Sequence, residues 1–482
     1  MKSGATRVSC PLRAAAAASP GAPAVVGAGG ELTYGRLDLL VAATGEKLAR
    51  LGLGSGARVA LYLPKDERYL VLLLALIRAG CVACPLSTRL PAGAVAPLLE
   101  KSACRALISS DEELLEAAGV RGLRPEKLLA DEPVRGNSCG PIRLALDRPA
   151  TIVFTSGSTD APKAALHTFG NHYYSALGSN ANIALAPGDR WLHSLPLYHV
   201  GGLSILFRCL LAGATVALPE PGAPIGEAIA GCGATHVSLV STQLLRLLRE
   251  GPEPGRSKAI LLGGGPIPPS LIDEAIARGL PIHTSYGLTE MASQVAATPP
   301  GASREVLSTS GRALAHREVS ISDAGEILVR GETLFTGYVD REVVDRSLDA
   351  EGWFRTGDLG ALDAGGYLRV RGREDNLFIS GGENVQPEEV EEALCRLEGV
   401  EDAVVVPVPD AEFGFRPVAF VRTAGGIVEP ELLSRELERT LPRFKVPVAF
   451  HGGLGETGGM KPDRPSLRER ARRLHRGERD PT

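Results

Sequence analysis

Four short stretches of this chain gather hydroxyls, glycines and charges in patterns that phosphate chemistry can use. In "TIVFTSGSTDAPKAALH", Thr151 to His167, an apolar run ends in Thr155, Ser156, Gly157, Ser158 and Thr159, and one cation, Lys163, follows a proline. Hydroxyls and backbone amides of such a loop can surround phosphate oxygens, and the glycine lets the backbone approach closely. The Walker pattern G-x-x-x-x-G-K-[ST] is absent, and a surface loop of small residues reads the same way. In "SYGLTEMASQ", Ser285 to Gln294, Tyr286 offers a face to a nucleobase, Thr289 a hydroxyl to phosphate and Glu290 an oxygen ligand to magnesium. The same letters also spell a capped helix start. "WFRTGDLG" sets Asp358 in an expected tight turn, where its carboxylate can accept from two ribose hydroxyls or serve only the turn. In "GREDNLFISGGENVQPEEVE", Gly372 to Glu391, glycine pairs stand among charges, as a hinge requires.

The elements that must position these residues alternate. "LTYGRLDLLVAATGEKLARLG" repeats apolar residues at helical spacing, and "ARVALYL", "CVACPLS", "ATVALP", "THVSLVS" and "KAILLGGG" read as short buried strands. Helices between such strands predict a layered α/β fold with largely parallel sheets. The clearest unit is "AILLGGGPIPPSLIDEAIARGLPIHTSYG": strand, glycine turn, helix, strand. Ligands of open α/β sheets bind beyond the strands' carboxyl ends, so Gly263, Gly264 and Gly265 should share a crevice with the segment beginning at Ser285. Near Gly372 the pattern changes to that of a small α+β unit. The division expected is residues 1–371 and 372–482.

Composition narrows the class. A chain of 482 residues exceeds one ordinary core, and 44% hydrophobic with 22% charged residues describes a soluble globular protein. A formal net charge of −4 argues against a nucleic-acid partner. The longest apolar run, Tyr69 to Ile77, is far short of the roughly 18 residues of a membrane span. The start lacks a signal peptide's apolar stretch, so a cytoplasmic protein is expected. Cys81 and Cys84 form a lone C-x-x-C, read as small buried residues. The sequence allows a homo-oligomer.

The four stretches, in this order and spacing, resemble the adenylate-forming superfamily of acyl-CoA synthetases, luciferases and peptide-synthetase adenylation domains, across nearly the whole chain. The resemblance implies a large N-terminal domain and a small C-terminal domain that rotates about a hinge at Asp375. It implies ATP, Mg²⁺ and coenzyme A as the small molecules handled. Thr155 to Lys163 would hold the β- and γ-phosphates, Gly263 to Gly265 and Tyr286 the adenine, and Thr289 the α-phosphate. Glu290 would bind the metal, and Asp358 with Arg373 the ribose. "TGGMKPDR" retains the spacing of the late catalytic lysine and supplies Lys461. Two positions depart from the pattern: Asp160 and Met460 stand where the superfamily has glycine.

"PLYHVGGLSILFRCLLAG" should line the acid pocket. His199 matches a family histidine near the junction of pocket and pantetheine tunnel, and no aspartate between Pro196 and Gly213 is present to hold a substrate amine. In wording, "LYHVGGLSILFR", "THVSLVSTQLLRLL", "LLGGGPIPPSLIDEA" and "GLTEMASQV" are similar to the o-succinylbenzoate–CoA ligases of menaquinone synthesis. A medium-chain or aryl acyl-CoA ligase, or a non-catalytic nucleotide-binding relative, would share the nucleotide motifs. With the diacid o-succinylbenzoate as substrate, Arg208 is the cation expected to meet its aromatic carboxylate, with Ser293 nearby. A solvent-facing Arg208, or one paired with a structural acid, is the bland alternative.

Overall fold

The computed structural model describes residues 6–129, 140–155, 162–251, 257–410, 412–454 and 463–476. The first helical pattern forms Tyr34–Arg50, capped by the Thr33 hydroxyl. The strand Arg58–Tyr62 follows, then the helix Glu67–Ala79, which starts at the Asp66 cap and stops at Gly80, where φ is 87°. Left-handed φ is open to glycine at no steric cost, which is why the helix ends there. Every residue from Tyr69 to Ile77 is buried; the longest apolar run of the sequence is a core helix. Among the described residues no helix is long and apolar enough to cross a membrane.

Two large sheets dominate. One runs Arg121–Leu123, Ala106–Ser109, Arg58–Tyr62, Val82–Pro85 and Pro149–Thr155 in parallel, then adds Lys163–Thr168, Gly337–Asp340 and Val343–Asp345 antiparallel. The other has a parallel centre of Pro23–Gly27, Thr215–Ala217, Arg190–Leu192, His236–Leu239, Ala259–Leu262 and Ile282–Leu288. Parallel strands need cover on both faces. The core helices Glu67–Ala79 and Val200–Ala212 therefore carry apolar residues nearly all round. A smaller antiparallel sheet of Glu318–Ile321, Glu326–Arg330, Phe354–Leu362 and Leu368–Arg373 follows.

The C-terminal segment has its own core. A long hairpin, Val400–Asp410 with Gly414–Thr423, packs against the helices Pro387–Cys395 and Pro430–Leu437 through Val390, Leu394, Val405, Ala419 and Leu437. The arginine-rich tail forms the helix Arg464–His475, capped by Asp463 and docked by Arg464, which bonds both carboxylate oxygens of the buried Glu391 at 2.7 Å. Cys81 and Cys84 are buried, as their apolar setting predicts.

The helix Val200–Ala212 is held at its carboxyl end by Tyr34. The buried phenol lies 2.6 Å from the Ala214 carbonyl and 3.1 Å from that of Cys209, donating to both in shared fashion. Tyr34→Phe removes the phenol donor from both carbonyls, that of Cys209 keeping the main-chain amides of Gly213 and Ala214, and should cost about 1–3 kcal/mol by urea unfolding, with catalytic constants unchanged well below the melting temperature. A loss under about 0.5 kcal/mol would remove Tyr34 from the account of that helix.

Candidate functional site

The strands Ala259–Leu262 and Ile282–Leu288 lie side by side and parallel, Leu262 opposite Thr284, so their carboxyl ends open into one crevice. Ser285 Oγ donates to the Leu262 carbonyl at 2.8 Å, and a Cβ on Gly263 would stand 2.7 Å from that hydroxyl. Gly264 has φ of 87°. The turn thus needs glycine twice, once for proximity and once for conformation. Gly263 thus lies against Ser285, the residue before Tyr286.

Two carboxylates flank this crevice, and each is capped by a tyrosine. Tyr286 Oη donates to Asp358 Oδ2 and Tyr338 Oη to Glu290 Oε1, both at 2.5 Å. Burial pushes both phenols up, and the neighbouring carboxylate adds to it, so both remain donors. Asp358 is not in a tight turn, contrary to the sequence expectation. It sits within the strand Phe354–Leu362, directly opposite Arg373. The adjacent Gly357, with φ of 68°, is what gave the stretch its turn-like composition. Arg373 donates to Asp358 Oδ1 at 3.2 Å and to Asp375 Oδ2 at 2.8 Å, so one guanidinium joins the ribose candidate to the hinge candidate.

Thr289 and Glu290 lie in a single 3-10 turn, Thr289–Met291, between two strands; a capped α-helix does not start there. The turn is anchored from behind. His167 Nε2 donates to the Thr289 carbonyl at 2.7 Å, and the Phe335 amide to that of Glu290 at 2.7 Å. His167 shares the strand Lys163–Thr168 with Lys163, whose ammonium stands 5.1 Å over the Tyr338 ring. Thr155 pairs with Lys163 across this hairpin. Ser156, Gly157, Ser158, Thr159 and Lys461 lie outside the described residues. Among the described residues no group of three His, Cys, Asp or Glu is arranged to hold a metal. Glu290, buried and bonded by Tyr338, whose ring lies under Lys163, fits a magnesium ion that takes its other oxygens from phosphate and water.

A second cluster surrounds Arg208. His199 is the N-cap of the helix Val200–Ala212 and rests against Tyr198. Arg208, on the same helix, is 1% exposed. Its Nη2 donates to Gln294 Oε1 at 2.8 Å and lies 3.5 Å from Ser293 Oγ, and its guanidinium covers the Trp191 ring at 4.9 Å. Neither bland alternative holds, since Arg208 faces no solvent and no acid pairs with it among the described residues. Burial lowers its pKa to about 10, which leaves it charged at neutral pH. Ala292 and Ser293 adopt φ of 52° and 123°. Consecutive non-glycine residues in such conformations are strained, and strain concentrates at functional sites.

Tyr338, His167 and Arg317 escaped the sequence reading. "TGYVD" and "ALHTFGN" do contain the first two, but their partners, Glu290 and Thr289, are distant in sequence.

The family model described as AMP-binding enzyme matches residues 12–339, and that of the AMP-binding enzyme C-terminal domain matches residues 389–452. A 2-succinylbenzoate–CoA ligase of Bacillus licheniformis is 35% identical over 456 residues, 91% of this chain and 95% of that ligase. Bacillus subtilis o-succinylbenzoate CoA synthetase (MenE) in complex with the acyl-adenylate intermediate OSB-AMP superposes with a TM-score of 0.86 at 31% identity, over 96% of this chain and 98% of that one. The same enzyme in complex with ATP and magnesium gives 0.83 at 32% identity, over 93% and 96%.

The anchor at Thr289 has a signature in pH. Burial lowers the His167 pKa to about 4, against about 6.5 unfolded. The unfolded chain therefore binds more protons between those values, so His167's contribution is complete above about pH 6.5 and falls as pH drops toward 4. His167→Gln keeps a donor for the Thr289 carbonyl without titrating. Between pH 6.5 and 5 its unfolding free energy should fall less steeply than that of the parent, by up to about one proton per molecule. Parallel pH profiles would contradict a neutral buried His167.

Proposed function

The chain belongs to the AMP-binding enzyme family, and from that premise we propose that it joins 2-succinylbenzoate to coenzyme A, with ATP cleaved to AMP and pyrophosphate, as a step of menaquinone synthesis. The observation that carries the choice of acid is Arg208: a fully buried cation with no acid partner among the described residues, in the segment expected to line the acid pocket. A mono-acid substrate gives that charge nothing to pair with. 2-Succinylbenzoate keeps its aromatic carboxylate through both half-reactions. The place of reaction proposed is the cytoplasm, where ATP and coenzyme A are both at hand.

A carboxylate is a poor acyl donor because its charge repels nucleophiles and it lacks a good leaving group. In the first half-reaction the succinyl carboxylate attacks the α-phosphorus and pyrophosphate departs. In the second the thiol attacks the mixed anhydride and AMP departs. Asp358 and Arg373 hold the ribose, Tyr286 with Gly263 to Gly265 the adenine, and Thr289 the α-phosphate. Thr155, Ser156, Gly157, Ser158, Thr159 and Lys163 take the β- and γ-phosphates, and His199 borders the acyl end. Glu290 would hold Mg²⁺, which when bound withdraws charge from phosphate oxygens. Lys461 stabilises the negative charge that builds at the α-phosphate in the first step. Residues 1–371 and 372–482 act as two domains. The smaller turns about Asp375, which shares Arg373 with Asp358, to withdraw Lys461 and admit the thiol.

Pyrophosphate release with a panel of acids tests the reading: 2-succinylbenzoate should exceed octanoate and benzoate, and a preference for either of those would replace it. Lys461→Ala should nearly abolish adenylate formation yet spare thioester formation from supplied acyl-adenylate; equal loss in both would withdraw the assignment. Arg208→Leu should cost about 10- to 100-fold in preference for 2-succinylbenzoate over 4-phenyl-4-oxobutanoate, the analogue without the aromatic carboxylate, with little change in ATP affinity. Undiminished preference would remove Arg208 from the pocket.

A further inference from the structure

Arg208 is not alone. Arg317, at 6% exposure, is a second buried guanidinium with no acid partner among the described residues, and Gln294 stands between the two. Arg317 Nε donates to the Gln294 main-chain carbonyl at 2.5 Å, and its other nitrogens donate to the carbonyls of Ala315 and Ser175. These neutral acceptors satisfy its hydrogen bonds but not its charge. Gly178 is required beside it, because a Cβ there would stand 2.3 Å from Arg317 Nη1. On its other side Gln294 gives Oε1 to Arg208. Two buried donors of this pair, Gln294 Nε2 and Arg208 Nε, have no hydrogen-bond partner among the described residues. Buried N–H groups are almost always paired. Unpaired donors beside two uncompensated cations mark a place built for an anion that the protein does not itself supply.

We propose that Gln294 is a specificity-determining residue of the acid pocket: Arg317 fixes its backbone, Arg208 fixes its Oε1, and its Nε2 is thereby turned to donate, beside Arg208 Nε, to the free carboxylate of the substrate. Arg317 is a positioning residue that adds positive charge without touching the ligand. The inference rests on the assignment of the diacid. Glutamine suits the role because its amide accepts from the arginine and donates to the ligand at once, which neither a carboxylate nor an apolar side chain can do.

The charge balance supplies the test. Gln294→Glu places a carboxylate against Arg208 in nearly unchanged volume. It should raise the melting temperature of the ligand-free enzyme by a few degrees, since a buried charge gains a partner. It should also lower the preference (ratio of kcat/KM) for 2-succinylbenzoate over 4-phenyl-4-oxobutanoate by at least about tenfold, with the KM for ATP unchanged. Gln294→Met, which removes the donor without adding charge, should lower the same ratio by at least about tenfold. If the unmodified enzyme shows no preference for the diacid, the assignment of the acid fails and this inference with it. If the unmodified enzyme prefers the diacid and both variants keep that preference, the inference alone is overturned.

Discussion

Arg208 and Arg317 carry two positive charges into the protein interior around Gln294, and no carboxylate among the described residues meets either. Removing an ion from water without a partner costs several kcal/mol, so the surrounding structure has to hold it in place. The helix Val200–Ala212 is pinned by Tyr34, Trp191 lays its face under Arg208, and Gly178 makes room for Arg317. The left-handed turn at Ala292 and Ser293 brings Gln294 between them. The two buried charges and the strained turn run against what stability alone would select, and both are accounted for once an anion is to be received there.

The nucleotide crevice follows the opposite logic, in which charge is met before the ligand arrives. Asp358 is held by Tyr286 and Arg373, and Glu290 by Tyr338. Phenols are suited to this because they donate one directed bond without neutralising the carboxylate they orient. Preorganised groups need little rearrangement when phosphate, ribose or metal binds, and that is where electrostatic stabilisation is most effective. The sharing of Arg373 between Asp358 and Asp375 places the ribose grip and the hinge on one side chain.

Much of the architecture was legible because local period and turn chemistry agree with the tertiary fold. The strand–glycine–helix–strand unit from Ala259 to Leu288 was read directly, since Gly264 has the positive φ that only such a turn demands. Asp358 was misplaced because Gly357 inside a strand looks like a turn when its partner, Arg373, is not in view. Arg208 stood out as a charge in an apolar helix, whereas Arg317 sits among polar neighbours and shows its burial only in three dimensions. His167 and Tyr338 were silent for the same reason. Their work is a single contact with residues far along the chain, and no local pattern encodes it.

The account turns on a pocket charged in advance for a carboxylate that takes no part in the chemistry. Calorimetric binding of two non-hydrolysable acyl-sulfamate adenosine analogues measures this without catalysis, one built on 2-succinylbenzoate and one lacking the aromatic carboxylate. The account predicts that the first binds about 10- to 100-fold more tightly, as one charge-assisted contact implies. Equal affinities would contradict it.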